Sequence, residues 1–99
     1  MRRIVYSRRA QRDLSEIWDY IAADNVDAAD KVCQRVRTDL EMVAATPGIG
    51  HRRPDVKDDR FRCWKVHSYI VVYRYTSKTV TVVRIVHGAR DFRKLFGRQ

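Results

Sequence analysis

The chain has 99 residues, of which 21 are Lys or Arg and 12 are Asp or Glu, giving a formal charge of +9. That length makes residues 1–99 one domain with a single modest core, and so large an excess on so small a body calls for a polyanion or an acidic protein as partner. Cys33 and Cys63 stand in no ligand-like spacing with His51, His67 and His87, so neither a disulfide framework nor a metal site is expected. No run of about 18 apolar residues and no apolar stretch after the N-terminal arginines is present, which predicts neither membrane span nor signal peptide and a cytoplasmic location.

The first element, Arg3-Ile-Val-Tyr6, has strand character but is too short to stand alone, so it requires a strand from later in the chain. Ser7 offers a helix-capping hydroxyl. Apolar residues at Ala10, Leu14, Ile17, Trp18 and Ile21 follow the spacing of one helical face and predict a helix to about Ala23. Asp24-Asn25-Val26 breaks it, and Asp27 with Asp30 reads as the cap and first turn of a second helix, whose apolar positions are Ala29, Val32, Val36, Leu40 and Val43. So short a connection makes the two helices an antiparallel hairpin whose shared apolar face lies on a sheet, with Trp18 as the largest side chain available to that seam. The opposite faces carry Arg8, Arg9, Arg12, Asp13, Glu16 and Asp19, then Arg35, Arg37, Asp39 and Glu41, and read as mixed-sign solvated surfaces.

Thr46-Pro-Gly-Ile-Gly50 ends the second helix, and the basic loop His51–Asp55 follows it. In Arg60–Val66 apolar and basic side chains partly alternate, as in a strand with one face toward solvent or a ligand, and His67-Ser68 is the turn into the next strand. Tyr69–Tyr75 and Val80–Val86 are rich in β-branched and aromatic residues and flank the polar connection Thr76–Thr79, the signal of a hairpin. Nearly every position in both runs is apolar, so both faces need cover, and this hairpin is the centre of the sheet. Beyond it the polar cluster His87-Gly-Ala-Arg-Asp91 aims side chains outward. Asp91 can then cap a short final helix, Phe92–Phe96, with Arg93 and Lys94 on its far side. The fold class is α+β: an N-terminal strand, a helical hairpin on a mainly antiparallel sheet of about four strands, and a short C-terminal helix or tail.

Four pieces in this order carry a resemblance. They are Ala10-x-x-Asp13-Leu14-x-x-Ile17-x-x-Tyr20-Ile21, the turn Pro47-Gly48-x-Gly50-x-Arg52, the strand Tyr69-x-Val71-x-Tyr73-Arg74, and Arg84-Ile85-x-His87-Gly88-x-Arg90-Asp91. Together they span almost the whole chain, which resembles the ParE branch of the ParE/RelE superfamily of bacterial type II toxins. The resemblance implies a toxin neutralised by a cognate ParD-like antitoxin, with a DNA-binding N-terminal part and a tail that folds on binding, in a hetero-oligomeric complex that meets DNA mainly through the antitoxin. It implies no cofactor. ParE toxins act on DNA gyrase, whereas RelE toxins cut messenger RNA on the ribosome, and a shared fold does not choose between these.

Under the gyrase reading, Arg84, Arg90, Asp91, Arg93 and Lys94 form the target-binding surface, no residue is catalytic, and Trp18 and Tyr20 anchor the antitoxin. Under the nuclease reading, Arg62, Lys65, Arg84 and His87 hold a scissile phosphate and move protons, since cutting RNA needs a base, an acid and cations. No tyrosine follows the last strand, a departure from the RelE pattern that favours the gyrase reading. For His87 the plainer role is a strand-end imidazole bonded to a backbone carbonyl, and for Arg90 and Asp91 a local ion pair and helix cap.

Overall fold

The computed structural model describes residues 2–53 and 56–92. Strand β1 (Arg3–Tyr6) leads into helices α1 (Arg8–Ala22) and α2 (Val26–Ala45), and a 3-10 turn, Pro47–Ile49, precedes strands β2 (Arg62–Val66), β3 (Tyr69–Tyr75) and β4 (Thr79–His87). The sheet has the order β1-β4-β3-β2. β2, β3 and β4 are antiparallel neighbours, while β1 lies parallel to β4 with Arg3 opposite Thr79 and Tyr6 opposite Val82. The first strand thus joins the last hairpin, as its length required, and the architecture is α+β. Phe92 is the last described residue, so a final helix through Phe96 lies outside the described part. Among the described residues no helix is long and apolar enough to cross a membrane.

Both faces of the central hairpin are covered. The helical hairpin packs Ala10, Ile17, Val36 and Leu40 against Tyr69, Val71, Val82 and Ile85. On the helix-free face Phe92, fully buried, closes over Cys63, Ile70, Val72 and Val86, with Val56 and Phe61 beside it. Both cysteines are buried.

Ser7 does more than cap a helix. Its Oγ accepts the Ala10 N–H at 3.0 Å and donates to the Val83 carbonyl at 2.9 Å. Val83 is the extra residue of a β-bulge, for Val72 faces Arg84 while Tyr73 faces Val82, and the bulge lets β4 turn away from β1 as β1 ends. The second helix is capped by Asn25, whose side chain accepts the Ala28 N–H, rather than by Asp27. Asp27 lies within the first turn and faces the positive end of the helix dipole.

The seam also differs from the expected one. Trp18 is only half-buried and donates its indole N–H to Asp30 at 2.9 Å, on the outer side of the helices. Trp64 on β2 is the tryptophan packed between α2 and the sheet, and its N–H donates to Asp39 at 3.1 Å. Asp39, expected on a solvated face, is therefore buried and also holds Arg35 at 2.8 Å. A polar residue one turn from an apolar stripe goes inside when a donor waits there.

Tyr73, fully buried, explains why the Pro47–Gly50 turn accompanies the third strand. Its hydroxyl donates to the Pro47 carbonyl at 2.6 Å and accepts the Gly50 N–H at 3.0 Å. The ring occupies the space that a Cβ on Gly50 would need. Burial raises the Tyr73 pKa above its usual 10.0, so the hydroxyl remains a donor at all ordinary pH values. In the two-residue turn between β2 and β3, His67 has φ 55, a conformation that costs a non-glycine residue about 1–2 kcal/mol.

Tyr73→Phe leaves two buried backbone groups unpaired and is expected to cost about 1–3 kcal/mol. Gly50→Ala overpacks the same point and is expected to cost about 2–3 kcal/mol. Because both substitutions act on one hydroxyl, urea unfolding of the double variant should show a loss well below the sum; additive losses would place the stability elsewhere.

Candidate functional site

β4 runs out beyond β1, and its exposed edge is met by one carboxylate. Asp13, on α1 and 4% accessible, accepts the Ile85 backbone N–H on Oδ2 at 2.9 Å, taking the place of the strand neighbour that β1 no longer supplies. The same carboxylate grips Arg84 side-on, Nε to Oδ2 at 2.8 Å and Nη2 to Oδ1 at 3.2 Å, and Arg9 approaches Oδ1 at 3.2 Å. Charge-assisted paired bonds of this kind are short and directional. Asp13 is thus no member of a solvated face, and Arg84 is a neutralised structural cation rather than a free one.

The segment after β4 is pinned in a similar way. His87 accepts the Arg90 N–H on Nδ1 at 3.1 Å, its carbonyl accepts the Asp91 N–H at 2.9 Å, and the Gly88 N–H reaches the Ser68 carbonyl at 2.8 Å. The imidazole therefore bonds a backbone N–H, where sequence suggested a carbonyl, and in the neutral ring the proton sits on Nε2. Tyr69 packs edge-on against it, 5.4 Å between centroids. Burial raises the Tyr69 pKa, opposed by the nearby Arg90, so its hydroxyl stays protonated.

Two clefts meet at His87. The first, about 390 Å³, lies between α1 and the end of β4 and includes Asp13, Glu16, Tyr20, Arg84, Arg90 and Asp91. At its rim the Arg90 guanidinium lies 5.2 Å from the centre of the Tyr20 ring and 3.8 Å from Asp91, and Tyr20 is 66% exposed. The second cleft opens on the helix-free face and includes Lys65 and His87. A separate groove of about 480 Å³ between α1, α2 and β1 is lined by Tyr6, Leu14, Trp18 and Cys33 among others.

The expected site residues are thereby partly assembled and partly dispersed. Arg84, Arg90 and Asp91 share the first cleft, while Arg93 and Lys94 lie outside the described residues. Of the four nuclease candidates, His87 shares the first cleft with Arg84 and the second with Lys65, while Arg62 lines neither. Arg62, three residues before Lys65 and so on the opposite face of β2, donates to the Gly50 carbonyl at 3.1 Å. Trp18 and Tyr20 fall in different clefts, as residues two apart on a helix must. Sequence reasoning missed Asp13, although it stood inside a quoted motif. Among the described residues no His, Cys, Asp or Glu group could hold a metal ion.

Asp13→Ala strands a buried strand N–H and a half-buried guanidinium together, with an expected cost of about 3–5 kcal/mol. Asp13→Asn, which can still accept from Ile85, should cost about 1–2 kcal/mol. Equal losses in urea unfolding would show that the backbone contact contributes nothing.

Comparison with known proteins fits this geometry. The chain is 30% identical to the toxin ParE1 of Caulobacter vibrioides over 92% of its own length and 94% of that protein's. It is 24% identical to the toxin RelE3 of the same organism, over 89% of this chain and 96% of that one. Its fold superposes on a chain of the chromosomal ParDE TA system from P. aeruginosa with a TM-score of 0.72, at 21% identity, covering 88% of this chain and 96% of the other. The family model described as ParE toxin of type II toxin-antitoxin system, parDE, spans residues 4–92, and the chain belongs to that toxin family.

Proposed function

We propose that this toxin arrests growth by binding DNA gyrase through the rim of the α1/β4 cleft, without catalysing a reaction itself. The observation that carries the reading is the chemical state of the end of β4. Arg84 is neutralised by Asp13, the Nδ1 lone pair of His87 is spent on the Arg90 N–H, and Tyr69 keeps its proton. A cleaving site needs a free base, a free acid and unpaired cations around one phosphate. By contrast, Arg90 on the exposed Tyr20 ring, with Arg93 and Lys94 following in sequence, offers what a protein interface uses: an aromatic anchor and a guanidinium.

Control by an antitoxin follows from the family, and the groove holding Trp18 suits an amphipathic segment. It is open, lined by Leu14 and Trp18, and flanked by Gln11, Gln34 and Arg37, the mixture that an ordering tail with apolar anchors and acidic side chains would meet. RelE-type messenger cleavage is the second reading, favoured by the kinship with a toxin named RelE3 and by Lys65 and His87 sharing a cleft.

Purified toxin added to a gyrase supercoiling and cleavage assay should inhibit it, and Arg90→Glu with Arg93→Glu should weaken inhibition by about tenfold or more. His87→Gln, whose amide oxygen can accept the same N–H, should stay within about threefold, whereas a nuclease would lose about 10²-fold in rate. Cleaved messenger on translating ribosomes with supercoiling untouched would reverse the choice.

Trp18→Ala should weaken antitoxin binding by about tenfold or more, the range of an aromatic anchor. Toxicity in cells without antitoxin should be unchanged by it. Unchanged neutralisation would move the antitoxin away from this groove.

A further inference from the structure

Among the described residues His87 is the one histidine with a hydrogen bond on its ring. His51 lies stacked on Trp64, and His67 sits in the turn between β2 and β3. In the His87 bond the ring is the acceptor: Nδ1 takes the Arg90 backbone N–H at 3.1 Å. Only a neutral ring can accept there, because a protonated imidazole is a donor at both nitrogens. Histidine is also the side chain that changes charge between about pH 5 and 8. One proton, in an ordinary range of pH, therefore makes or breaks this contact.

What the contact holds is the aim of Arg90, whose guanidinium lies 5.2 Å from the centre of the Tyr20 ring and 3.8 Å from Asp91. The corner stays folded without it, through Gly88 N–H to the Ser68 carbonyl and Asp91 N–H to the His87 carbonyl, neither of which involves a titrating atom. Tyr69, buried and edge-on to the imidazole at 83°, limits rotation of the ring. Charges of both signs surround it. In the first cleft α1 presents Arg9, Asp13 and Glu16, while β4 and its corner present Arg84, Arg90 and Asp91. Arg53, Lys65 and His67 line the second cleft. Asp13 is engaged by Arg9 and Arg84, and Asp91 by Arg90. Among the described residues no carboxylate lies within ion-pair distance of the imidazole, so a protonated ring loses its bond and finds no counter-charge where it stands.

We propose that His87 is a positioning residue that acts through Arg90 and makes the toxin's hold on its target depend on pH. The neutral ring aims the Arg90 guanidinium over Tyr20, and the imidazolium, with no lone pair for the Arg90 N–H, releases it. Binding is therefore strongest above the titration of the ring and falls on acidification, by about fivefold for the loss of one such bond. The effect on binding rests on the reading of the Arg90 rim as the gyrase surface, whereas the clamp rests on geometry alone.

In an NMR titration of the full-length toxin between about pH 8 and pH 5, the Arg90 amide proton should move with the His87 ring protons. In His87→Gln, whose amide oxygen accepts at any pH, it should stay still. Gyrase binding measured at both ends of that range should weaken on acidification by about fivefold more for the wild type than for His87→Gln, a comparison that cancels the effect of pH on gyrase itself. His87→Phe, with no acceptor and with its folding checked by the same spectra, should bind about fivefold more weakly than His87→Gln at both ends. Arg90→Ala keeps the backbone N–H, so its amide should still follow His87 while the pH-dependent part of binding disappears; a ring that only held the fold would leave that part in place. An Arg90 amide that ignores the His87 titration overturns the proposal, as does gyrase binding with the same pH dependence in wild type and His87→Gln. No gyrase binding at either pH, with the Arg90 amide still following His87, refutes gyrase as the target and supports the clamp, so the two failures are distinguishable.

Discussion

The carboxylate of Asp13 is the constraint on which the rest of this structure depends. A parallel strand of four residues cannot cover a nine-residue neighbour, and the uncovered half of β4 would show water or a foreign strand its unpaired N–H groups. One helical side chain answers for part of that edge by accepting from Ile85, and it is held in orientation by two arginines. Helix, edge and cleft are therefore fixed by a single group. The bulge at Val83, closed by the Ser7 hydroxyl six residues before Asp13, makes room for it.

A second lock, at the opposite end of the sheet, uses the same logic. The Tyr73 hydroxyl reads two backbone atoms of the Pro47–Gly50 turn, and Asp39 ties α2 to Trp64. Each of the three contacts joins a helix or loop to the sheet through one polar side chain buried in an apolar layer. Such groups contribute little net attraction when satisfied and cost much when orphaned, so they select one docking of the hairpin on the sheet more than they deepen its stability.

The elements were legible in the sequence because their signals are local. The 3.6-residue spacing from Ala10 to Ile21, the Ser7 cap and the β-branched runs around Thr76–Thr79 each need only a few neighbouring residues to be read. What could not be read is which distant partner a polar side chain meets. Asp13 looks the same on a helical wheel whether it faces water or Arg84, 71 positions away. Trp18 and Trp64 compete for one seam, and only the strand register decides it. The site divides along the same line: His87, Arg90 and Asp91 are close in sequence and were found together, whereas His67 comes to them only through the pairing of Tyr69 with His87.

The parallel pairing of β1 with β4 also bears on when a ribosome can deliver a working molecule. The first strand emerges from the exit tunnel long before its partner has been made, and the apolar face of the two helices has no finished sheet to cover. Non-local closure of this kind is slow and comes late. A nascent chain stopped before Thr79 has no neighbour for β1, no bulge for Ser7 to close and no edge for Asp13 to cap, so the His87–Asp91 corner cannot exist until the chain is nearly complete. Premature termination therefore yields an inert fragment, and the interval between initiation and an active toxin is set by the last strand.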